Sequence, residues 1–483
     1  MTRPSLRPGS VDLLVIGGGI TGAGIARDAA MRGLNTVLVE QSDFASGTSS
    51  RSSRLLHGGL RYLAQGHIRL VMEASHEKMR LSKLAPHLSD PLRFYFPVWR
   101  GDPWPRWQLA VGVRVYDLLC GGRNLGVSAA HDGAGMLSRV PGLRSSGLTG
   151  GVSYFDALTN DARLVIDTLR SAERAGASVF NYVRLFSAAR SGSGWSCVVR
   201  DQSSGEQVEL RAGAVVNATG AWAQQIPHSS VRLRLTKGVH LVIDRSRLPV
   251  DGAVVLSEGK RILFVIPWGE RLILGTTDTD YNGDPADVRT DTQDVDYVLR
   301  VVNRAFPSAR IRPEELISTW AGVRPLIAPR HVPAGTPSDV SRNHEIRMPE
   351  PGWFDVAGGK LTTYRLMAEQ AVDRAGKYLG AAMPPSPTTR VPLAEGDAGA
   401  VQYSGVLPPP LTASVVAHCC KYEWTRCLDD LLLRRTSWHY YHPAHQDVAE
   451  QVSRWMAGEL GWSEEQRQSE VDRYQQVVDW PPR

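Results

Sequence analysis

Gly17, Gly19 and Gly22 stand in a G-x-G-x-x-G pattern directly behind the apolar run at 11–16 (VDLLVI). Glycines so placed suit phosphate chemistry. One allows a tight turn, one lets backbone N–H groups approach a pyrophosphate, and one lets helix pack on strand. With Ile20 and Thr21 between them, they open a stretch of helical periodicity that closes at Gly33, and a second apolar strand at 36–39 ends in Glu40. The Glu40 carboxylate can accept both ribose hydroxyls and would repel a 2′-phosphate. Strand, glycine turn, helix, strand and acid in register predict a dinucleotide site.

Three further motifs favour FAD over NAD in that site. Residues 46–62 (SGTSSRSSRLLHGGLRY) form a loop rich in hydroxyls and glycine, including Thr48, Ser49, Ser50, His57, Gly58 and Gly59. Small hydroxyl side chains and free amides can follow a pyrophosphate toward a flavin ring, where an NAD domain would more commonly continue as βαβ. Residues 214–220 (AVVNATG), with Ala218, Gly220 and then Trp222, read as another apolar strand closing on small residues. Residues 353–365 (WFDVAGGKLTTYR) read as a strand, a glycine pair and a helix start through Gly359, Lys360, Leu361 and Thr362. The positive end of that helix would favour the negative charge of a reduced flavin.

The elements that must position these residues are legible in outline. Helical periodicity marks 69–88, 108–119, 161–175 and 291–306; strands are expected over 177–199 and 236–274. Residues 384–411 read as a proline-bearing linker, and 413–435 and 448–478 as helices. With 483 residues, 42% apolar and 22% charged, the chain holds about three domains' worth of material and is neither disordered nor collagen-like. The net charge of +6 comes from 48 arginines and 7 lysines with no basic run of four, which argues against nucleic acid and suits an acidic substrate or an anionic membrane face. Five cysteines without a Cys-x-x-Cys pair give no metal site. The first ten residues lack an apolar signal core, and no stretch reaches the ~18 apolar residues of a spanning helix. The expected location is cytoplasmic, with peripheral attachment to the inner membrane face left open. An arginine-rich aromatic face at 434–441 would serve that attachment or a contact between subunits of a homodimer.

The segments VIGGGITGAGIARDAAMRG, TSSRSSRLLHGGLRYL, VNATGAW, LTKGVHLV, FVIPW, LGTTDTDYNGDP, GVRPL and GGKLTTYR together resemble the FAD-dependent glycerol-3-phosphate dehydrogenases, of the D-amino-acid-oxidase-like superfamily. The resemblance spans roughly 10–380. It implies an α/β fold: a Rossmann-type FAD-binding domain from 1–75, 150–227 and 352–383, a β-rich substrate domain from 76–149 and 228–351, the linker 384–411, and a shortened C-terminal helical domain, 412–483. It further implies that Arg61, Tyr62, Arg324, Arg342, Thr277 and Asp278 meet the substrate, that His240, Arg324 and Lys360 are catalytic, and that Val183 meets the adenine. The implied reaction is oxidation of sn-glycerol 3-phosphate to dihydroxyacetone phosphate, with electrons leaving to a quinone or another acceptor. A different small phosphorylated or phosphonylated alcohol, or an oxygen-using oxidase, is the alternative.

The residue types make sense of that chemistry. Arginines hold a phosphate dianion through planar, paired donors and fix one C–H for hydride transfer. A base takes the hydroxyl proton, and cations beside the oxygen favour the alkoxide-like transition state. His240 is the leading candidate for the base, with Arg324 polarising the same oxygen.

Overall fold

The structure, a computed structural model, describes residues 6–63, 66–122, 124–259, 261–328, 344–394 and 398–478. Two sheets carry the architecture. In the first, the strands Trp353–Gly358, Gln207–Asn217, Gly9–Ile16, Thr36–Glu40 and Ser178–Asn181 lie side by side in parallel, with His344–Glu350 antiparallel at the edge. The apolar run at 13–16 is explained by burial on both faces. Leu13 and Val15 pack with the helices Ile20–Met31, Asp161–Arg174 and Tyr364–Leu379. Leu14 and Ile16 pack against the hairpin Val183–Ser191/Gly194–Asp201 on the other side.

The second sheet is mostly antiparallel. It runs Thr279–Asp280, Leu233–Asp244, Arg271–Gly275, Arg261–Trp268, Ala253–Glu258, Asp90–Trp99, Leu148–Leu158, with Ser318–Ile327 also on Leu233–Asp244. Leu148–Leu158 belongs to this sheet, so the boundary expected at 149/150 falls inside a strand. Odd-numbered residues of Leu233–Asp244 (Val239, Leu241, Ile243) face the helix Thr292–Ala305. His240 and Val242 therefore face the opposite way, toward the first sheet's helix ends and the helices Ile68–Leu84 and Arg106–Leu119. That face covers the site.

The helix expected over 413–435 breaks after Tyr422. Glu423 is fully buried and takes two hydrogen bonds from Arg163, at 2.6 and 2.8 Å, and Trp424 enters the left-handed region at φ +55°. The helix expected over 448–478 is two, His445–Leu460 and Glu464–Val477. Gly461 ends the first in the left-handed region and a Ser463/Gln466 capping box opens the second.

The face expected at 434–441 is not on the surface. Arg434, Arg435, Trp438, His439 and Tyr440 are all buried. Arg435 grips Asp43 with two bonds of 2.7 Å, Arg434 bonds Asp43 as well, and burial of the acid is more than offset by the two guanidinium charges, which hold its carboxyl below the usual range. A membrane or subunit role for these residues is thereby overturned. Within the segment 384–411, residues 391 and 393 are fastened to the molecule: Arg27 donates to the Val391 carbonyl at 2.6 Å and Leu393 to that of Leu84 at 2.9 Å.

Candidate active site

The glycine turn is a cradle that side chains would fill. A Cβ on Gly22 would stand 1.8 Å from the Gly17 carbonyl oxygen, and one on Gly17, already at φ +107°, would stand 2.7 Å from that of Ala218. The Ile20 amide at the helix start donates to Ser49 Oγ at 3.0 Å. Glu40 accepts from the Gly18 and Ser42 amides at 2.7 and 2.9 Å, and burial still pushes its carboxyl up. A backbone bare of Cβ atoms, amides at a helix N-terminus and an anchored carboxylate form the donor and acceptor set that the diphosphate and ribose of FAD require. These residues fit the cofactor.

Next to this cradle lies a cavity of about 320 Å³ between the first sheet's helix ends and the His240 face of the second sheet. Among its walls are Ile20, Thr48, Ser49, His57, Gly59, Tyr62, His240, Asp278, Arg324 and the run Gly359 to Thr362, all singled out from the sequence. Others sit behind it. Gly17, Gly19, Thr21 and Gly22 shape the turn, Ala218 donates to Ile16 at 2.8 Å, and Gly220 turns at φ +58°. Ser50 is buried, and the Trp222 ring lies 3.0 Å from where a Cβ on Gly47 would be. Val183 is buried in its strand, outside the cavity wall. Arg342 lies outside the described residues, and of Arg61 only the backbone lies within them.

Thr277 does not reach the cavity. It is buried, and its hydroxyl accepts the Val239 amide at 3.0 Å; the neighbouring Thr276 lines the wall instead. The strand Arg271–Gly275 ends just before, and past that end the simple alternation of faces cannot be assumed.

Arg324 reaches across its partner strand. Its guanidinium donates to Thr276 Oγ1 at 2.9 Å and the Thr277 carbonyl at 3.2 Å, with Asp278 at 3.4 Å. The space for it exists because Gly238 has no side chain: a Cβ there would meet Nη2 at 2.2 Å. Gly322, opposite Gly238 in the register, likewise lets the flavin-side loop approach, since its Cβ would stand 2.8 Å from Arg51. Both glycines went unremarked in the sequence, although a glycine inside a strand signals close approach of another group.

His240 is 1% exposed and stacks on Trp320, its register partner, with ring centroids 5.1 Å apart. Its Nε2 shares a hydrogen bond of 2.8 Å with Ser53 Oγ, and Nδ1 has no hydrogen-bond partner among the described residues. Burial, then the charges of Arg324 and Arg54, push its pKa well below the ordinary histidine value, so the ring is neutral, with a lone pair on one nitrogen. The Lys360 ammonium sits 3.9 Å from the centre of the Tyr62 ring.

The loop bearing Tyr62 is held from behind. Gly58 donates to Tyr116 Oη at 2.8 Å, Tyr116 donates to Asp156, and Lys78 reaches Asp156 at 2.8 Å, all three side chains being buried. Tyr116→Phe strands the Gly58 amide and one acceptor position of Asp156. It is expected to cost about 1–3 kcal/mol in denaturant unfolding; an unchanged midpoint would contradict the assignment.

Known proteins share both the sequence pattern and this architecture. The family model for FAD dependent oxidoreductases matches residues 12–371, and that for the C-terminal domain of alpha-glycerophosphate oxidase matches 401–467. Glycerol-3-phosphate dehydrogenase 2 of Mycobacterium tuberculosis is 37% identical over 97% of this chain and 88% of its own. The aerobic glycerol-3-phosphate dehydrogenase of Staphylococcus aureus is 38% identical over 82% of this chain and 73% of its own. Among solved structures, the glycerol-3-phosphate dehydrogenase from Bacillus halodurans complexed with FAD aligns with a TM-score of 0.79 at 29% identity, covering 98% of this chain and 96% of that one. The L-alpha-glycerophosphate oxidase from Mycoplasma pneumoniae shares the fold, with a TM-score of 0.60 at 16% identity over 78% and 97% of the two chains.

Proposed function

Because the chain belongs to the FAD dependent oxidoreductase family, among the glycerol-3-phosphate dehydrogenases, we propose a division of labour among its cavity residues. The protein is an FAD-dependent enzyme that oxidises glycerol 3-phosphate to dihydroxyacetone phosphate. The glycine turn and the Gly359–Lys360 turn would hold FAD, which would supply the acceptor for the hydride that leaves the carbinol carbon.

The chain's own residues do the rest. Arg61, Tyr62 and Arg342 are assigned to the phosphate dianion, which they would hold through charge-assisted bonds. Arg324 donates to the reacting oxygen and stabilises negative charge as the O–H bond breaks. The hydroxyl proton moves to His240 Nε2 along the Ser53 hydroxyl that already bonds it. Lys360, held over the Tyr62 ring, places a second cation at the cofactor side of the same space. The observation that carries this reading is the convergence of Arg324, His240, Ser53 and Lys360, from four separate chain segments, on one cavity beside the glycine cradle. Substrate-dependent bleaching of the bound flavin, and its loss in Arg324→Met, tests it.

For the electron acceptor we propose a quinone, met at a membrane surface. The far walls of the cavity are apolar, with Phe94, Phe96, Trp104 and Leu109 among them. Leu109 belongs to the helix Arg106–Leu119, whose outer side exposes Trp107 (69%), Val111 (56%) and Leu118 (72%) in a stripe at helical spacing. Such a stripe is suited to lie in a bilayer interface, while no described helix is long and apolar enough to cross one. Flotation with anionic vesicles that is lost in Trp107→Glu/Leu118→Glu supports this reading. Peroxide formed at the rate of substrate oxidation, in the presence of a soluble quinone, would mark an oxidase instead.

A further inference from the structure

Arg54 is a cation with an unusual seat. It is 1% exposed, and its backbone lies in the left-handed region at φ +55°, where side-chain-bearing residues are uncommon. Its amide donates to Ser52 Oγ at 3.0 Å and its carbonyl accepts from Thr159 at 2.8 Å, which hold that conformation. The guanidinium lies 4.4 Å from the Trp268 ring centre, 5.2 Å from that of Trp320 and 5.6 Å from that of Tyr440. Nη2 donates to Ser437 Oγ at 3.2 Å, the nearest carboxylate oxygen, on Asp161, is 4.0 Å from Nε, and Nε and Nη1 have no hydrogen-bond partner among the described residues. A buried guanidinium so poorly paired is expensive unless its charge is used. The aromatic walls offset part of the cost.

Two links join Arg54 to His240. Trp320, one wall of its box, is the ring on which His240 stacks, and Ser53, the preceding residue, shares the hydrogen bond with His240 Nε2. We propose that Arg54 is a positioning residue that acts on His240 through Trp320 and Ser53 and keeps the imidazole neutral for proton uptake. This rests on the role given to His240 above. The charges around the ring are Arg324, with Asp278 beside it, and Arg54, with Asp161 beside it, while Arg51, Asp156, Arg261 and Lys360 also line the cavity. Burial and the first two arginines lower the imidazole pKa, so removing the Arg54 charge brings it back toward the ordinary value.

The test is the pH profile of anaerobic flavin reduction by glycerol 3-phosphate in the holoenzyme, for the wild type, Arg54→Met, Arg54→Lys and His240→Asn. The wild-type rate is expected to hold to below the ordinary histidine range. In Arg54→Met the acid fall-off moves up by about one pH unit, and Arg54→Lys, which restores the charge, keeps the wild-type profile. An unmoved fall-off in Arg54→Met, or the same shift in Arg54→Lys, overturns the proposal. If Arg54→Met does not retain flavin, Arg54→Lys decides: a wild-type fall-off supports the proposal and a shifted one overturns it. A fall-off that survives in His240→Asn instead overturns the role of His240 itself, whereas its loss there together with an unmoved Arg54→Met profile overturns only the inference about Arg54.

Discussion

His240→Ala is expected to slow anaerobic flavin reduction by glycerol 3-phosphate by about 10²–10⁴-fold, the usual contribution of a placed general base. The imidazole is buried, stacked on Trp320 and bonded through Nε2 to Ser53, and alanine leaves no side-chain proton acceptor at that point. Deprotonation of the alcohol is then left to the substrate's own weak acidity. Flavin binding is expected to persist, because His240 lies on the second sheet, away from the glycine cradle. Stopped-flow absorbance with purified yellow protein measures the rate. A reductive rate equal to wild type would remove His240 as the proton acceptor.

Gly238→Ala is expected to damage the reaction while sparing the fold. The added Cβ would stand 2.2 Å from Nη2, 2.6 Å from Cζ and 2.6 Å from Nη1 of Arg324. These atoms are the free end of a long side chain, so the strand tolerates the methyl and the guanidinium moves. It then loses Thr276 Oγ1 and the Thr277 carbonyl, the contacts that aim it. One misaligned charge-assisted bond to the reacting oxygen is worth about 1.5–3 kcal/mol, or roughly 10–100-fold in kcat/KM. Arg324→Met is expected to cost at least as much. The double variant is expected to be no worse than Arg324→Met alone, because both changes remove the same group. Thermal unfolding of Gly238→Ala within a few degrees of wild type, together with the kinetic loss, is the expected pair of results. Wild-type kcat/KM in this variant would show that the guanidinium position does not matter.

The parts of the molecule that were legible in the sequence are those whose physics is local. The run at 11–16, its glycine turn and the helix after it form one continuous unit, and the acid at 40 sits one strand away. The Gly358–Gly359 turn before the helix at 364 is equally local. What sequence could not show depends on distant pairing. Gly238 means nothing special until Arg324 is known to lie one strand over. Arg54 is one of 48 arginines until Trp268, Trp320 and Tyr440 close around it. The charges at 434 and 435 look solvated because Asp43, which neutralises them, is far away in the chain. Trp424 gives no hint of its left-handed backbone. The break near 461 was available, since a glycine followed by Ser-x-x-Gln is a helix stop and start, but helical periodicity on both sides masked it.

The most direct test of the account is anaerobic addition of sn-glycerol 3-phosphate to the purified holoenzyme while flavin absorbance and dihydroxyacetone phosphate are followed together. Full bleaching with about one product molecule per flavin is the predicted result. Flavin that stays oxidised with excess substrate, yet bleaches normally with dithionite, would contradict it.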